Sequence, residues 1–474
     1  MRYISTRDPG PAPRTLSFAG ALLAGLAEDG GLYVPDRLRE LGAAGLSDCA
    51  GLPYPELAAR LLSLFAGDSF SVEELQRLTS SAYGNFRHAA VAPLVQLDER
   101  LWLLELFHGP TLAFKDLALQ LVGLLFDAVL ARCHEHVTIV GATSGDTGSA
   151  AIEACRDRQA IDIFILYPRD RVSEVQRRQM TTVESANAHA IAIEGTFDDC
   201  QDLVKALFAD SAARRELNLS AVNSINWARI AAQSVYYIAA GIALGAPARP
   251  VSFAVPTGNF GNVYAGHVAR RIGLPVEQLV IGTNRNDILA RYFTTGRMAL
   301  STVEPSLSPS MDVQVSSNFE RLLFELKGRN GGAVAAAMRT FRKTGVLPAN
   351  NQEWRLARSL FSAHKVDDTH TMQTIADTYA RTGILIDPHT AVAIGSARTE
   401  IAAHKGSTPM VALGCAHPAK FPDAVERATG IRPGLPSALC DLFERRERLV
   451  SLPNEIGAVT RFIRSRARRV GAMA

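Results

Sequence analysis

The sequence lacks most of what would tie it to a secreted, membrane-bound or metal-stabilised class. Its six cysteines, at 49, 133, 155, 200, 415 and 440, are scattered without a Cys-x-x-Cys pair, which excludes a dense disulfide framework and a zinc ribbon of the usual spacing. Cys133, His134, Glu135 and His136 are the one compact group of metal-ligand types. Without a second pair at ligand spacing they read as a polar turn before a strand, and no metal is expected. The longest apolar stretch, near 235–246, falls short of the roughly eighteen residues a membrane-spanning helix needs. The segment Met1 to Asp8 has neither the apolar centre of a signal peptide nor the Arg/Ser-rich amphipathic character of a transit peptide. No excess of one charge exists: 50 Lys and Arg stand against 47 Asp and Glu, for a net +3. That balance points to no nucleic acid and no anionic membrane as partner. The arginines at 461, 464, 466, 468 and 469 read as a solvated helix face. Such cysteine usage suits a reducing compartment, so a cytoplasmic location is expected.

What is present is a chain of 474 residues, 47% hydrophobic, long enough for two to three domains with a sizeable core. Residues 1–95 are helix-rich, with a turn at Asp29, Gly30 and Gly31 and a short extended piece from Leu32 to Pro35. From Leu101 the texture changes to short apolar runs alternating with helical ones. Strands are expected at 137–141, 162–167, 188–193, 251–256, 279–282 and 409–414, with helices at 117–130, 148–156, 173–182, 197–209 and across most of 225–244. Uninterrupted apolar strands separated by helices of ten to fifteen residues imply an α/β fold of parallel sheets covered by helices on both faces. Three consecutive blocks follow: 1–95 as an N-terminal helix-rich segment, 96–270 as an α/β core, and 271–474 as the rest of a large α/β domain with C-terminal helices.

Ligands of open parallel sheets sit at the carboxyl ends of strands, so the loops after strands are where chemistry is sought. The first is Thr143, Ser144, Gly145, Asp146, Thr147 and Gly148: hydroxyls at a helix start, with glycines that let backbone amides approach an anion. The same residues also serve as plain helix caps. The second is Pro256 to Asn262, where Gly258 and Gly261 frame Asn259 and Phe260. It is neither a Walker loop nor the Gly-x-Gly-x-x-Gly of dinucleotide folds, and it suits a single phosphate monoester better than a pyrophosphate. The third runs from Gly414 through Cys415, Ala416, His417 and Lys420 to Phe421; a polar side chain at 415 could meet the edge of a ring, whereas His417 and Lys420 are residue types more often found on surface loops.

A fourth stretch, Phe107 to Asp116, joins an apolar run to a long apolar helix through His108, Gly109, Pro110 and Thr111, which is turn chemistry. Lys115 emerges there beside Phe114 and Leu117. Apolar burial and the positive end of a helix dipole both lower an amine's pKa, and a lysine so placed is a candidate for covalent capture of a carbonyl. A carbonyl-capturing lysine, a monophosphate cradle, an anion-binding loop and a ring-edge contact together are the parts of a pyridoxal phosphate enzyme.

In that order these motifs resemble the threonine synthase family of fold-type-II pyridoxal phosphate enzymes. The likeness rests on residues 108–116, 143–148, 165–168, 223–226, 258–261 and 416–421, with Arg2 to Arg7 and Asp29 to Pro35 resembling its longer branch. The resemblance implies a tryptophan synthase beta-like fold. It implies that Lys115 carries the cofactor, with Phe114, Asp146 and Cys415 beside it, and that Gly258, Asn259, Phe260, Gly261 and Asn262 hold its phosphate. Thr143, Ser144, Gly145, Asp146, Thr147 and Asn226 would meet the substrate, O-phospho-L-homoserine, and Arg229, Lys420 and Arg169 are the cations for its phosphate. Cys415 stands where the family often has threonine, and a thiol is the weaker donor. The implied reaction is γ-elimination of phosphate and β-addition of water to give L-threonine, by a monomer or homodimer. A phospholyase or a threonine/serine dehydratase-like lyase is the alternative; a protein that binds the cofactor without catalysis is a more distant one.

Overall fold

Apolar runs such as Ile161–Pro168, eight residues buried throughout, cannot leave a face to solvent, so they become interior parallel strands with helices packed on either side. The computed structural model describes residues 1–10, 12–220, 224–347, 350–404 and 406–468. The chain divides into two compact units, each discontinuous in sequence: Met1–His108 with Ser224–Pro433, and Gly109–Asn223 with Gly434–Ala474.

The first unit holds a six-stranded sheet in the order Phe361–Lys365, Val276–Thr283, Val251–Pro256, Met410–Gly414, Leu101–Glu105, Leu94–Gln96. Its neighbours are parallel except for the last pair. The Pro388–Ala403 helix packs Ala391, Ala393, Ile394 and Ala397 into one cluster with Leu101, Leu103, Ala254, Val280 and Ala412 of the strands; small side chains let helix and sheet approach closely. The second unit holds a five-stranded parallel sheet, Leu449–Pro453, Ala188–Glu194, Ile161–Pro168, Val137–Ala142, Leu219–Ser220. Its core joins Val140, Phe164, Leu166, Ile191 and Ile193 to Leu203, Leu207, Val459 and Ile463.

These units differ from the three consecutive blocks in being discontinuous. Residues 1–95 fall in the first unit: Tyr3–Ser5 pairs antiparallel with Tyr33–Pro35, the Tyr3 ring lies 6.1 Å from that of Trp227, and buried Arg7 pairs with buried Glu320 at 2.6 Å. At the other end the Leu449–Pro453 strand and the Ile456–Arg466 helix return to the small sheet. Arg464 pairs with Glu216 and Arg468 with Asp162; Arg469, and Asn223 of the 223–226 motif, lie outside the described residues. Among the described residues no helix is long and apolar enough to cross a membrane, and no group of three or more His, Cys, Asp or Glu could hold a metal ion.

His267, on the Gly261–Arg271 helix, is buried with neither ring nitrogen hydrogen-bonded among the described residues. Desolvation first, then Arg271 and Arg270, depress its pKa to about 3. The ring stays neutral in the fold but titrates near 6.5 once unfolded. Its contribution is therefore complete above about pH 6.5 and is lost as pH falls toward 3, at up to about 1.4 kcal/mol per pH unit. Thermal denaturation of the wild type and His267→Leu at pH 7.5 and 5.0 should show the smaller acid-induced fall in Tm for the variant; equal falls would contradict this.

Candidate active site

In the second unit the apolar helix begins at the lysine itself, spanning Lys115–Cys133, two residues ahead of the start expected from periodicity. Asp116 explains the difference. Its carboxylate accepts the Thr111 backbone N–H at 2.8 Å and the Thr111 hydroxyl at 2.6 Å, and a Cβ at Gly109 would lie 2.4 Å from the Asp116 side chain. The Gly109 to Thr111 turn thus folds over Asp116, and Lys115 becomes the first helical residue. Lys115 is buried, with Nζ 3.3 Å from Asp146 Oδ2 and 5.5 Å from the Phe114 ring centre.

The loop after the Val137–Ala142 strand is organised by Thr143, whose hydroxyl oxygen accepts the amides of Gly145 at 3.0 Å and Gly148 at 2.8 Å. Gly145 sits at φ +135°, and a Cβ there would lie 2.4 Å from the Gln176 side chain. Gln176 in turn donates to Asp146 Oδ1 at 2.9 Å, so the Asp146 carboxylate is held between Gln176 and Lys115. The hydroxyls of Ser144 and Thr147 make no hydrogen bond among the described residues. They stand at the start of the Asp146–Cys155 helix, whose first-turn amides lack intrahelical acceptors and favour an anion. Sequence reasoning missed Gln176, which lies on a helix with an ordinary capping box at Ser173. It also missed Asp116, which the apolar run around it disguises.

In the first unit, the turn 257–260 joins the Val251–Pro256 strand to the Gly261–Arg271 helix. Phe260 adopts φ +63° to start the helix. The turn is held from behind: Ser316 Oγ donates to Gly258 O at 2.5 Å, Ser317 N to Asn259 Oδ1 at 3.0 Å, and Asn318 Nδ2 to Asn259 O at 3.1 Å. The backbone amides of Gly258, Asn259 and Phe260 have no acceptor among the described residues, and buried Asn262 Nδ2 has none either. Asn262 Oδ1 accepts from Tyr236 and from Tyr237 at 2.9 Å, which fixes its Nδ2 as a donor. Three loop amides, an orphan amide donor and a helix N-terminus fit the phosphate monoester of pyridoxal phosphate.

Cys415 is buried at the end of the Met410–Gly414 strand, its N–H donating to Thr390 Oγ1 at 3.1 Å. Burial first, with any charge on the Cys415 sulfur among the further causes, raises the pKa of both Tyr236 and Tyr237. Thr390 donates to Asp387, which also binds His389 Nδ1 at 2.7 Å; this buried group was not legible in the sequence. His417 is held near pKa 4, by burial first and by Arg87 and His108 next.

The remaining expectations divide. Lys420, a type usual on surface loops, is fully buried in the Pro418–Lys420 turn. Arg229 is buried, with Nε and Nη1 unpaired among the described residues, and burial lowers its pKa to about 10. Asn226, expected at the substrate, instead caps the Trp227–Ala243 helix: its oxygen accepts Ala228 N at 3.0 Å and its Nδ2 donates to Leu22 O at 2.8 Å. Arg169 is half exposed and lies 3.6 Å from both Asp170 and Glu194.

Family profiles described as "Threonine synthase N terminus", "Pyridoxal-phosphate dependent enzyme" and "Threonine synthase, C-terminal" match residues 2–83, 86–348 and 390–463. The chain is 55% identical to a threonine synthase of Pseudomonas aeruginosa over 470 residues, covering 99% of each. To that of Saccharomyces cerevisiae it is 41% identical over 457 residues, covering 90% of this chain and 88% of the relative. The crystal structure of pyridoxal phosphate-bound threonine synthase from Brucella melitensis superposes with a TM-score of 0.95 at 51% identity, covering 99% of this chain and 100% of that one. The yeast crystal structure gives 0.94 at 38% identity, covering 98% of each.

Proposed function

The chain belongs to the threonine synthase family of pyridoxal phosphate-dependent enzymes, and from that premise we propose how its residues carry out the conversion of O-phospho-L-homoserine and water to L-threonine and phosphate. The observation that carries the assignment is the buried pair Lys115 and Asp146, 3.3 Å apart at the start of an apolar helix.

When bound, pyridoxal phosphate supplies an aldehyde that captures amines and a ring that draws electrons from the carbon beside the captured nitrogen. Lys115 would hold it, with Phe114, Asp146 and Cys415 as further cofactor residues, and Gly258, Asn259, Phe260, Gly261 and Asn262 would receive its phosphate. Lys115 Nζ would be the base that takes a proton from the substrate α carbon. The Asp146 carboxylate, fixed by Gln176, orients that nitrogen. The hydroxyls of Ser144 and Thr147, with the amides of the loop that Thr143 and Gly145 shape, take the substrate carboxylate. Arg229 and Lys420 are buried cations suited to the substrate phosphate, which a desolvated guanidinium binds strongly; Asn226 contributes by capping the helix that carries Arg229. Burial of Lys115 keeps bulk water from the reacting amine.

Cys415→Thr restores a stronger donor at that position. Because a neutral contact contributes only about 1.4 kcal/mol or less, kcat should change by less than about tenfold; a larger change would contradict the minor role given to Cys415. We place the protein in the cytoplasm as a monomer or homodimer. Six free cysteines support the first part, and light scattering on the purified protein tests the second.

Incubation with O-phospho-L-homoserine should release phosphate and L-threonine in equal amounts. Phosphate accompanied by 2-oxobutyrate and no threonine would favour the lyase reading.

A further inference from the structure

Beneath the 257–260 turn lies a fully buried cation that the mechanism above does not use. Arg321, on the Phe319–Leu326 helix, donates to Tyr33 O at 3.0 Å from Nη2 and 3.2 Å from Nε, to Ile225 O at 2.5 Å, and to Asn318 Oδ1. Its guanidinium also lies 5.7 Å from the Trp227 ring centre. No carboxylate pairs with it among the described residues. Glu320, the adjacent acid, spends one oxygen on Arg7 Nε at 2.8 Å and Thr6 Oγ1 at 2.7 Å and the other on Arg7 Nη2 at 2.6 Å. The Arg7 and Glu320 charges cancel, which leaves Arg321 as an excess positive charge in the interior. Such a charge is destabilising unless something compensates it.

The hydrogen bonds from Arg321 lead to the turn. Its Nη1 donates to Asn318 Oδ1, and the Asn318 Nδ2 donates onward to Asn259 O at 3.1 Å and Ser224 O at 3.2 Å, while Asn318 N also donates to Asn259 O at 3.2 Å. The Asn259 carbonyl belongs to the same peptide group as the Phe260 N–H, one of the three amides without an acceptor among the described residues. Drawing electron density onto that oxygen makes the N–H a better donor.

We propose that Arg321, acting through Asn318, is a positioning residue for the cofactor phosphate: it fixes the 257–260 turn, polarises the 259–260 peptide toward the anion, and has its own charge compensated by that anion. The same guanidinium ties the N-terminal strand, through Tyr33, to the turn, so the N-terminal segment takes part in cofactor retention. This inference rests on the reading of the turn as the phosphate site.

The test compares pyridoxal phosphate with pyridoxal, which lacks the phosphate, in titrations of full-length protein stripped of cofactor. General damage to the fold weakens both ligands alike, whereas loss of a phosphate-positioning device lowers only their ratio. Arg321→Met and Asn318→Ala should each lower the preference for pyridoxal phosphate over pyridoxal by about tenfold or more, with Arg321→Lys losing less than Arg321→Met. Should Arg321→Met fail to fold, Asn318→Ala still cuts the relay. A wild-type ratio in Asn318→Ala, or in a folded Arg321→Met, overturns the inference. Gly258→Val in the turn itself separates the two layers: if it lowers the ratio while Arg321 and Asn318 variants do not, only this inference falls, and if it leaves the ratio unchanged, the phosphate-site reading falls and takes the inference with it.

Discussion

Lys115→Ala is expected to reduce turnover by about 10⁴-fold or more, because it removes both the covalent attachment and the proton-transferring base. The visible absorption of lysine-bound cofactor should vanish with it. Lys115→Arg should fail equally, since a guanidinium does not give up its proton near neutral pH. The substitution leaves the buried Asp146 carboxylate with Gln176 as a remaining partner, and circular dichroism should show that the fold persists. Initial rates with O-phospho-L-homoserine and the absorption spectrum check both halves; a variant that keeps turnover and absorption would remove Lys115 from the site.

Gly145→Ala is the second large effect expected. At φ +135° an L side chain is strained by a kcal/mol or more, and the new Cβ would lie within 2.4 Å of Gln176. Relief requires the 143–148 loop to move, which shifts Ser144 and Thr147 and loosens the Gln176 bond to Asp146. A displacement of about 1 Å in a substrate-positioning loop costs on the order of 10²-fold. We expect kcat/KM to fall by at least that factor with the cofactor still attached to its lysine. Adding Gln176→Ala should recover part of the loss from the clash and none of that from the backbone, so the double variant should be better than additive. Wild-type kcat/KM in Gly145→Ala would show that the loop tolerates displacement and does not hold the substrate.

Interior strands and the order of the site motifs were legible in the sequence, because full burial on both faces demands uninterrupted apolar runs. Val251–Pro256 and Ala188–Glu194 were expected within a residue of where they lie. Edge strands were not. Phe361–Lys365 reads Phe-Ser-Ala-His-Lys and Leu449–Pro453 is largely exposed, since an edge needs only one protected side and carries polar residues without penalty. The discontinuous units were missed for a related reason: return of the C-terminal strand to the sheet of 137–194 is a long-range pairing with no local signal. At the site, glycine-bounded loops marked themselves through backbone requirements. The residues that hold them did not. Gln176 and Arg321 sit on helices of unremarkable pattern and Asn318 immediately precedes one, and their roles depend on partners 30 to 288 positions away. Asn226 shows the converse, a motif residue whose amide is spent on capping.

The central claim is that one particular lysine carries the cofactor. Treating the cofactor-loaded protein with borohydride makes the bond between cofactor and lysine permanent, and peptide mass mapping then identifies the position. The account predicts the pyridoxyl mass on Lys115 and on no other lysine; the same mass on Lys420, or on any other lysine, would contradict it.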